Sequence, residues 1–354
     1  MRKKEENIRN MPSCPLPICD YERVLLAHGG GGKLSARLFE KMIRPCLSNP
    51  WLDMSHDGAM IRLEGRRIAF STDSFVIQPI IFPGGNIGEL AVNGTVNDLA
   101  CCGARPMYIS LGLILEEGLE MEVLWKIIRS VREAADRAGV KVVTGDTKVV
   151  DRGKADRIFI NTSGIGIIEK ETEVSPASCR PGDKILLSGK IAEHGIAIMS
   201  TRTGLEFDSP IVSDTAPLNH MVEKIMASGA GIRVMRDPTR GGVASALNEI
   251  SRSCGYRFMI REKDIPVDGA VKGACEILGL DPLYIANEGK LLLIVNPGDE
   301  QKVLKIMRAD PLGKDTACIG EVLDIRDKLV EMETIIGSTR IVDMISGEQL
   351  PRIC

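Results

Sequence analysis

The sequence predicts a two-domain protein that mixes α-helices and β-strands. Its 354 residues are long for a single hydrophobic core. Apolar residues keep helical spacing over residues 121–138, and short apolar runs typical of strands flank this segment. A polar segment with two prolines and a glycine, residues 169–183, separates two such halves. We therefore expect an N-terminal domain over residues 24–168, a linker over 169–183 and a C-terminal domain over 184–344.

In the N-terminal domain, the helix predictions combine apolar spacing with end signals. Asn86 and Glu89 have the spacing of a capping box, which predicts a helix that begins there and continues to Ala100. Gly139 supplies the end of a second helix, Met121–Ala138. The apolar runs that predict strands in this domain are Arg67–Thr72, Tyr108–Leu115, Val140–Thr144 and Arg157–Ile168.

The C-terminal domain begins with a predicted strand, Lys184–Ser188, and both chain ends lie outside the two domains. Residues 1–23 are polar and broken by prolines, as in a flexible lead-in. Residues 345–354 contain glycine and proline without periodicity, which predicts a flexible tail. Extended backbone covers about 3.3 Å per residue, so roughly eight tail residues reach more than ~20 Å. The other elements predicted here are the helices Asn219–Ala227, Val243–Ser253 and Glu300–Arg308 and the strand Lys290–Asn296.

Composition argues against several classes of partner. Lys and Arg total 45 against 48 Asp and Glu, and the resulting charge of −3 gives no general attraction to nucleic acid or to anionic membranes. Aromatic residues are only 4%, which disfavours base stacking. No apolar run approaches the roughly 20 residues of a membrane span, and the polar N-terminus does not resemble a signal peptide. We expect a cytoplasmic protein that binds neither nucleic acid nor membrane.

The ten cysteines are scattered, and no CxxC pair supports a zinc or thioredoxin-like site. Cys101 and Cys102 lie in an apolar stretch, where free cysteines usually pack as small core residues. Cys14 and Cys19 fall in the lead-in, and the sequence does not decide whether they matter. Cys354 differs from all of them because it is the last residue of the predicted tail.

A run of glycines, Gly29–Gly32, precedes Lys33 near the N-terminus. A P-loop would require glycine at Ala27 and serine or threonine at Leu34, so that motif fails twice. Ordering four glycines costs much conformational entropy. We favour a loop whose amides and Lys33 close over an anion, with a plain flexible hinge as the alternative.

Acidic residues at strand ends and turns are the main chemical signal. A lone aspartate there is usually a turn former or helix cap. Several of these residues, however, sit beside strongly apolar segments, where burial of a carboxylate is unfavourable unless a cation neutralises it. Magnesium prefers oxygen ligands and binds substrate phosphates, which fits an ATP site without a P-loop. The acidic residues are Asp57, Asp73, Asp98, Asp146, Asp237 and Glu288.

Two basic residues accompany these carboxylates. Lys148 follows Asp146 by two positions, so both lie on one face of an extended segment. It pairs with a phosphate or simply with the aspartate. Arg240 precedes Gly241 and Gly242 at the start of a predicted helix, which suits anion binding at a helix N-terminus. A surface arginine beside a glycine turn is an equally good interpretation.

Longer motifs resemble the HypE family of hydrogenase maturation proteins. They are STDSFVIQPIIFPGGNIGELAVNGTVNDLACCGARP, TGDTKVV, DPTRGGVASALNE and the terminal PRIC. The family is part of a superfamily that also contains aminoimidazole ribonucleotide synthetase, selenophosphate synthetase and thiamine-monophosphate kinase. The resemblance covers about residues 24–354. The acidic motifs are shared across the superfamily, and the terminal Pro-Arg-Ile-Cys separates the HypE family from its relatives.

The resemblance implies an α+β, two-domain fold of the aminoimidazole ribonucleotide synthetase type. The N-terminal sheet would pair with its copy in a homodimer, a C-terminal α+β domain would pack on it, and a flexible tail would follow. Such proteins accept a carbamoyl group on the terminal cysteine, here Cys354, from the carbamoyltransferase HypF. They dehydrate it with ATP to a thiocyanate and pass the cyanide to iron on the HypC–HypD scaffold, for [NiFe]-hydrogenase.

The resemblance also implies cofactors, ATP and Mg²⁺, and roles for individual residues. The implied metal ligands are Asp57, Asp73, Asp98, Asp146 and Asp237. The implied cofactor-binding residues are Asp73, Asp98, Asp146, Lys33, Asn93 and Arg240. The implied catalytic residues are Cys354, Lys148, Glu288 and His56.

Chemistry supports this reading and leaves one role open. An amide oxygen is a poor leaving group, so loss of water requires its activation as a phosphate and removal of both nitrogen protons. Lys33 or Lys148 would stabilise the transferred phosphoryl group. The base is Glu288, His28 or His56, and the sequence does not choose among them.

Two alternatives remain at this point. A small-molecule phosphotransferase of the same superfamily, of the selenophosphate synthetase or thiamine-phosphate kinase type, would not need Cys354. Selenophosphate synthetase would also place cysteine or selenocysteine in the N-terminal glycine loop, and His28–Lys33 contains neither. A scaffold that binds nucleotide and recruits partners without catalysis is the second alternative.

Overall fold

Two β-sheets organise the chain, one in each half of the sequence. The computed structural model describes residues 25, 32–43, 45, 53, 56, 58–169, 174–204 and 210–345. The strands of the first sheet end at Ile168, and those of the second sheet begin at Lys184. Together with the helices between the strands, this arrangement is the two-domain α+β fold that the sequence predicts.

The first sheet has five strands in the order β1-β2-β7-β5-β6. Its pairs are antiparallel except for β5 and β6, which run parallel. A separate two-stranded ribbon, β3-β4, precedes the main helix of the domain. The strands are β1 (Ala59–Leu63), β2 (Arg66–Phe75), β3 (Ile81–Phe82), β4 (Gly85–Asn86), β5 (Arg105–Glu116), β6 (Lys141–Val150) and β7 (Ile158–Ile168).

Among the described residues of the first half, the α-helices are α1 (Lys33–Leu38), which continues into a short π-helix at Phe39–Ile43, α2 (Ile87–Cys101) and α3 (Met121–Ala138). Helix α2 lies directly against the sheet. Helix α2 begins where the side chain of Asn86 accepts a hydrogen bond from the Gly88 amide at 2.9 Å. Almost all of its residues are buried, as expected for an interior helix that is apolar on every side. At Gly88, a Cβ would lie 2.6 Å from the Ile127 carbonyl oxygen, so glycine allows α2 and α3 to pack closely.

The second face of the first sheet is not covered by the described residues. Side chains alternate along β7, so its even-numbered residues are buried against the helices and its odd-numbered ones point away. On this outer face, Phe70, Tyr108, Ile114 and Ile165 are 41–46% exposed. We call these four residues the open face. Strand β6, at the sheet edge, is exposed along almost its whole length.

The second sheet has seven strands in the order β14-β13-β10-β12-β8-β11-β9. The strands are β8 (Lys184–Leu187), β9 (Ile232–Arg236), β10 (Arg257–Arg261), β11 (Leu292–Val295), β12 (Ala317–Leu323), β13 (Val330–Glu333) and β14 (Thr339–Ile341). The helices are α4 (Glu193–Thr203), α5 (Asn219–Ala227), α6 (Gly242–Cys254), α7 (Gly269–Leu278) and α8 (Glu300–Arg308).

The central strands of the second sheet, β8 and β11, are buried on both faces. Along β8, Ile185 and Leu187 pack into the core around α6, whereas Leu186 packs into the core formed with α5 and α8. This alternation explains why its central strands are almost continuously apolar. The core around α5 also contains Ala100 and Cys101, at the end of α2. The two domains are thus joined through an apolar contact.

The helices and strands predicted from spacing are confirmed, with shifted ends. The predicted strand Val140–Thr144 is part of the longer β6, and Lys290–Asn296 shortens to β11. One detail of the predicted capping box is wrong, because the Glu89 carboxylate pairs with Arg137 rather than reaching back to Asn86. Within the described ranges, no helix is long and apolar enough to cross a membrane. The predicted tail, residues 345–354, lies outside the described part after Ile345.

Candidate functional site

A cavity lies between the two domains and brings together residues that are far apart in the sequence. Five of the predicted site residues line it: Asp73, Asp98, Asp237, Arg240 and Glu288. Strand β2, helix α2, the turn between β9 and α6, and the segment before β11 each contribute to its wall. We call it the acidic cavity. It is lined by Asp73, Ser74, Phe75, Gly94, Asp98, Asp237, Thr239, Arg240 and Glu288.

The N-terminal domain supplies Asp73 and Asp98 to the acidic cavity. Asp73 is on the side of β2 that faces the helices, next to the buried Phe75. Asp98 is in the last turns of α2, where its carboxylate accepts a hydrogen bond from the Ser71 hydroxyl. At Gly94, a Cβ would lie 2.9 Å from the ring of Phe75. Glycine at this position therefore lets β2 approach α2 closely enough for both aspartates to share one cavity.

The C-terminal domain supplies Asp237 and Arg240 from the turn that follows β9. Asp237 is only 7% exposed. Gly241 and Gly242 both have positive φ, 76° and 60°, a conformation that glycine adopts without strain. At Gly242, a Cβ would lie 2.4 Å from the Leu283 carbonyl oxygen. The glycines thus fold a tight turn that sets Arg240 beside the start of α6.

Glu288 is the most deeply buried carboxyl group of the cavity, at 2% exposure. Burial raises its pKa well above the usual range, the nearby Asp237, Asp214 and Asp73 raise it further, and Arg240 opposes them. Its Oε1 has no hydrogen-bond partner among the described residues. A buried oxygen without a donor is unfavourable, so this atom is available to a ligand or a cation.

The donor set of the cavity fits magnesium bound together with a phosphate. All its acidic groups offer oxygen, which Mg²⁺ prefers. Within the described ranges, no three acidic, histidine or cysteine side chains are placed to bind one ion together. Magnesium usually takes one or two carboxylates and completes its shell with water and phosphate oxygens. The cavity has a volume of about 50 Å³, which is room for an ion with its water ligands, and it opens to solvent.

Two asparagines of α2 connect the domains beside the cavity. Asn93, predicted to bind the cofactor, is fully buried and donates to the Thr215 hydroxyl at 3.2 Å. Asn97 donates to the Ala216 carbonyl at 3.1 Å and accepts from the Leu218 amide at 2.8 Å. Asn93 therefore forms an interdomain contact behind the cavity wall, and its predicted cofactor contact stays a prediction. Sequence reasoning missed Asn97, although two asparagines four residues apart in an apolar helix are a usable signal.

Asp146 and Lys148 lie on the exposed strand β6, away from the acidic cavity. Lys148 Nζ lies 2.7 Å from Asp146 Oδ2, and Lys148 together with the Thr147 amide lowers the pKa of Asp146. Asp146 pairs in register with Gly112, which pairs with Asn161 of β7. Three strand spacings separate β6 from β2, so this pair is roughly 14 Å from the strand that carries Asp73. Within one chain, these predicted ligands do not join the cavity.

Lys33 and His56 also lie outside the cavity wall. Lys33 forms an ion pair with Asp343, and its amide donates to the Ile345 carbonyl at 2.9 Å. His56 lies 3.1 Å from the Val174 carbonyl and 3.5 Å from the Cys102 thiol. Burial, and then Arg236, lower the pKa of His56 to about 4. A neutral, packed histidine fits a structural role better than the predicted catalytic one.

Of the three candidate bases, Glu288 is thus the one that the structure places in the cavity. His28 lies outside the described residues, as do Asp57, Cys14, Cys19, Cys354 and most of the glycine run.

Comparisons with known proteins agree with this architecture. Residues 55–168 match the family of the AIR synthase related protein, N-terminal domain, and residues 180–330 match its C-terminal domain. Carbamoyl dehydratase HypE of Azotobacter vinelandii is 48% identical over 331 residues, which cover 94% of this chain and 97% of the relative.

Two solved structures are also similar. One is a HypE–HypF complex, with a TM-score of 0.83 and 49% identity over 87% of this chain and 99% of the other. The second is the hydrogenase maturation protein HypE in complex with ATP, with a TM-score of 0.80 and 46% identity over 94% of this chain and 100% of the other.

Proposed function

Since this chain belongs to the HypE family of carbamoyl dehydratases, we propose that it removes water, at the expense of ATP, from a carbamoyl group carried on its own Cys354. The product is a thiocyanate that supplies cyanide for the iron centre of [NiFe]-hydrogenase. One observation carries the proposal: the acidic cavity gathers Asp73, Asp98, Asp237 and Glu288 with Arg240 between the two domains. This is the environment in which phosphoryl transfer without a P-loop is expected.

The reaction balances as phosphoryl transfer followed by elimination. The carbamoyl oxygen attacks the γ-phosphorus of ATP, and ADP leaves. One N–H proton then passes to a base and the other leaves on the departing phosphate as the C–O bond breaks, which gives S–C≡N and inorganic phosphate. The oxygen that is formally lost as water leaves within the phosphate. No other reactant is required.

Each residue of the cavity has a proposed part in this reaction. Arg240 would bind the transferred phosphoryl group, a part for which the sequence also predicts Lys33 or Lys148. Asp73, Asp98 and Asp237 would hold Mg²⁺ ions, with one or two of these carboxylates at each ion, and the ions would neutralise the phosphate charge. Glu288 would accept a proton from the carbamoyl nitrogen through Oε1. Because its pKa is raised, the carboxyl group becomes a base only when cationic charge in the cavity favours its ionised form.

The position of the last described residues suits delivery of Cys354 to this cavity. Val342 is held at α6, where its carbonyl accepts a hydrogen bond from Asn248 at 2.8 Å. Asn248 lies six positions beyond Gly242, so it is about 9 Å along the helix from the end nearest the cavity. Residues 346–354 span up to roughly 30 Å when extended. A tethered substrate also meets its site at a high effective concentration.

The proposed partners follow from the family and from the open face. The carbamoyl donor is HypF, and a HypC–HypD complex would receive the cyanide. Phe70, Tyr108, Ile114 and Ile165 would be covered in a homodimer that packs two open faces together, with β6 and its Asp146 and Lys148 near the junction. A single-chain mass by light scattering would contradict this pairing. The cytoplasmic location stays a prediction.

Mass spectrometry of the C-terminal peptide tests the function directly. The protein would be incubated with HypF, carbamoyl phosphate and Mg-ATP, beside a Cys354→Ala control. We expect the wild-type peptide to gain a carbamoyl group and then to lose water only when ATP is available to this chain. If Cys354 stays unmodified while ATP is hydrolysed, the tail is not the substrate, and a small-molecule phosphotransferase becomes the better reading.

A further inference from the structure

The segment that carries Glu288 separates two cavities. On one side is the acidic cavity. On the other is a second cavity of about 330 Å³, which belongs entirely to the C-terminal domain and which we call the lysine cavity. Its lining includes Lys190, Glu193, Ser213, Asp214, Lys290 and Lys314. The proposed function gives the lysine cavity no part, although Gly289, the residue next to the proposed base, lines this cavity.

Asp214 connects the lysine cavity to Glu288. Its side chain is 2% exposed. One carboxylate oxygen, Oδ1, accepts a hydrogen bond from the Glu288 amide at 3.1 Å. The second, Oδ2, lies 3.1 Å from the ammonium nitrogen of Lys290. Lys290 is itself nearly buried and donates to Glu193 at 3.0 Å. A buried ion pair is therefore fastened directly to the backbone of the proposed base.

The backbone around Glu288 is fixed on its other side as well. The Glu288 carbonyl accepts from the Ala216 amide and from the Asn97 side chain, each at 3.4 Å. At Gly289, a Cβ would lie 1.9 Å from the Asp214 carbonyl oxygen, so only glycine allows the two segments to lie this close. The segment 288–290 is thus clamped between residues 214–216 and helix α2.

The charges of this clamp interact strongly because the side chains of Asp214 and Lys290 are only 2% and 10% exposed. Burial alone would lower the pKa of Lys290, but Asp214 and Glu193 together hold it above its usual value. Removal of one partner of a buried pair leaves an uncompensated charge, which is far more disruptive than loss of an exposed pair. A substitution at Lys290 should therefore shift the position of Glu288 through Asp214, although Lys290 itself does not line the acidic cavity.

We propose that Asp214 and Lys290 are positioning residues for the dehydration: their buried ion pair holds the Glu288 backbone so that the carboxyl group stays aimed into the acidic cavity. This inference rests on the proposed function, because its first test measures the rate at which the tail is dehydrated. Its structural half, the clamp on segment 288–290, stands on the contacts alone.

The test compares single and double charge removals in the full-length protein. Asp214→Asn keeps an oxygen that accepts from the Glu288 amide but removes the charge, and Lys290→Met removes the opposite charge at similar size. We expect each single variant to lower kcat for tail dehydration by about tenfold or more, with KM for ATP changed less than threefold. The double variant should recover much of the loss, because no unpaired charge remains within the pair. Lys314→Met, on the rim of the same cavity, is the matched control.

Chemical rescue supplies a second, independent readout. The lysine cavity is large enough to admit methylammonium, so this cation should restore part of the kcat of Lys290→Ala and leave Lys314→Ala unchanged. Circular dichroism would verify that every variant is folded. Unchanged kcat in folded Asp214→Asn and Lys290→Met, or a double variant whose loss is the product of the single losses, would overturn the proposal.

Failure of the proposed function is distinguishable from failure of the clamp. If the wild-type tail is never dehydrated, the function is wrong, and the clamp is then judged by amide hydrogen exchange of a peptide that covers residues 286–292. Faster exchange in each single variant and near-wild-type exchange in the double variant would support it. Equal exchange in all four proteins would reject it.

Discussion

Two predicted site carboxylates, Glu288 and Asp146, have opposite surroundings in this protein. Glu288 is enclosed between the domains, where burial and neighbouring acids raise its pKa. Asp146 is on the exposed edge strand β6, where Lys148 and a backbone amide lower its pKa. Both residues stand in short Gly- or Asn-rich motifs, so the sequence makes them look equivalent. Burial beside other acids thus raises the pKa of a carboxyl group and makes it a possible base, whereas a solvent-exposed lysine nearby only lowers the pKa.

The largest expected effect is that of Glu288→Gln. Glutamine keeps the size of the side chain but accepts no proton, so we expect the dehydration rate to fall by about 10² to 10⁴. Single-turnover mass spectrometry of the carbamoylated tail measures it. Glu276→Gln, an exposed acid on α7, is the control. A Glu288→Gln rate within threefold of wild type would mean that the base lies elsewhere.

The next effect concerns stability and comes from His56. Its folded pKa of about 4 lies below the unfolded value of 6.5. The stabilisation is therefore fully present above pH 6.5 and is lost as the pH falls toward 4, because the unfolded chain takes up the proton first. The loss is at most about 3 kcal/mol.

Denaturant unfolding in metal-free buffer between pH 7 and pH 4 measures this slope. His56→Gln should flatten it, since glutamine does not titrate. An identical pH dependence in the variant would show that His56 is solvated rather than packed against Val174 and Cys102.

The smallest expected effect compares Asp237→Asn with Asp146→Asn. Loss of the buried carboxylate should raise the magnesium concentration for half-maximal dehydration by about tenfold or more. Loss of the exposed one should raise it less, because solvent screens its charge. Magnesium titrations of both variants decide the order. An equal or larger effect at Asp146 would place β6 at the metal site, as expected if a partner chain brings it there.

Local signals predicted much of the fold. The cap at Asn86, the apolar spacing of Met121–Ala138 and the stop at Gly139 require only neighbouring residues, and all three are confirmed. Strands β10, β12, β13 and β14 were not predicted. Strand β10 pairs with β12 and β13, which lie about sixty and seventy positions further along the chain, and β14 is mostly exposed. Local alternation therefore carried too little signal to identify them.

The sequence predicted which types of residue form the candidate site, but it did not separate the residues that meet in the cavity from those that lie elsewhere. Asp73, Asp98, Asp237, Arg240 and Glu288 were named from motifs and do share a cavity. Lys33 pairs with Asp343 instead, about three hundred positions away, and no local pattern could indicate this. Asp214 was missed because its motif, a serine and an aspartate before a threonine, is that of an ordinary turn.

Residue type and spacing along the chain were enough to predict the family, many of the helices and strands, and the kinds of side chain that carry the chemistry. Only the tertiary structure decided which carboxylates are desolvated and which two segments clamp Glu288. Desolvation and ion pairing depend on distances through space, and here the interacting groups come from both domains. Aspartate and lysine are therefore surface charges on β6, as Asp146 and Lys148, but form a buried ion pair beside β11, as Asp214 and Lys290.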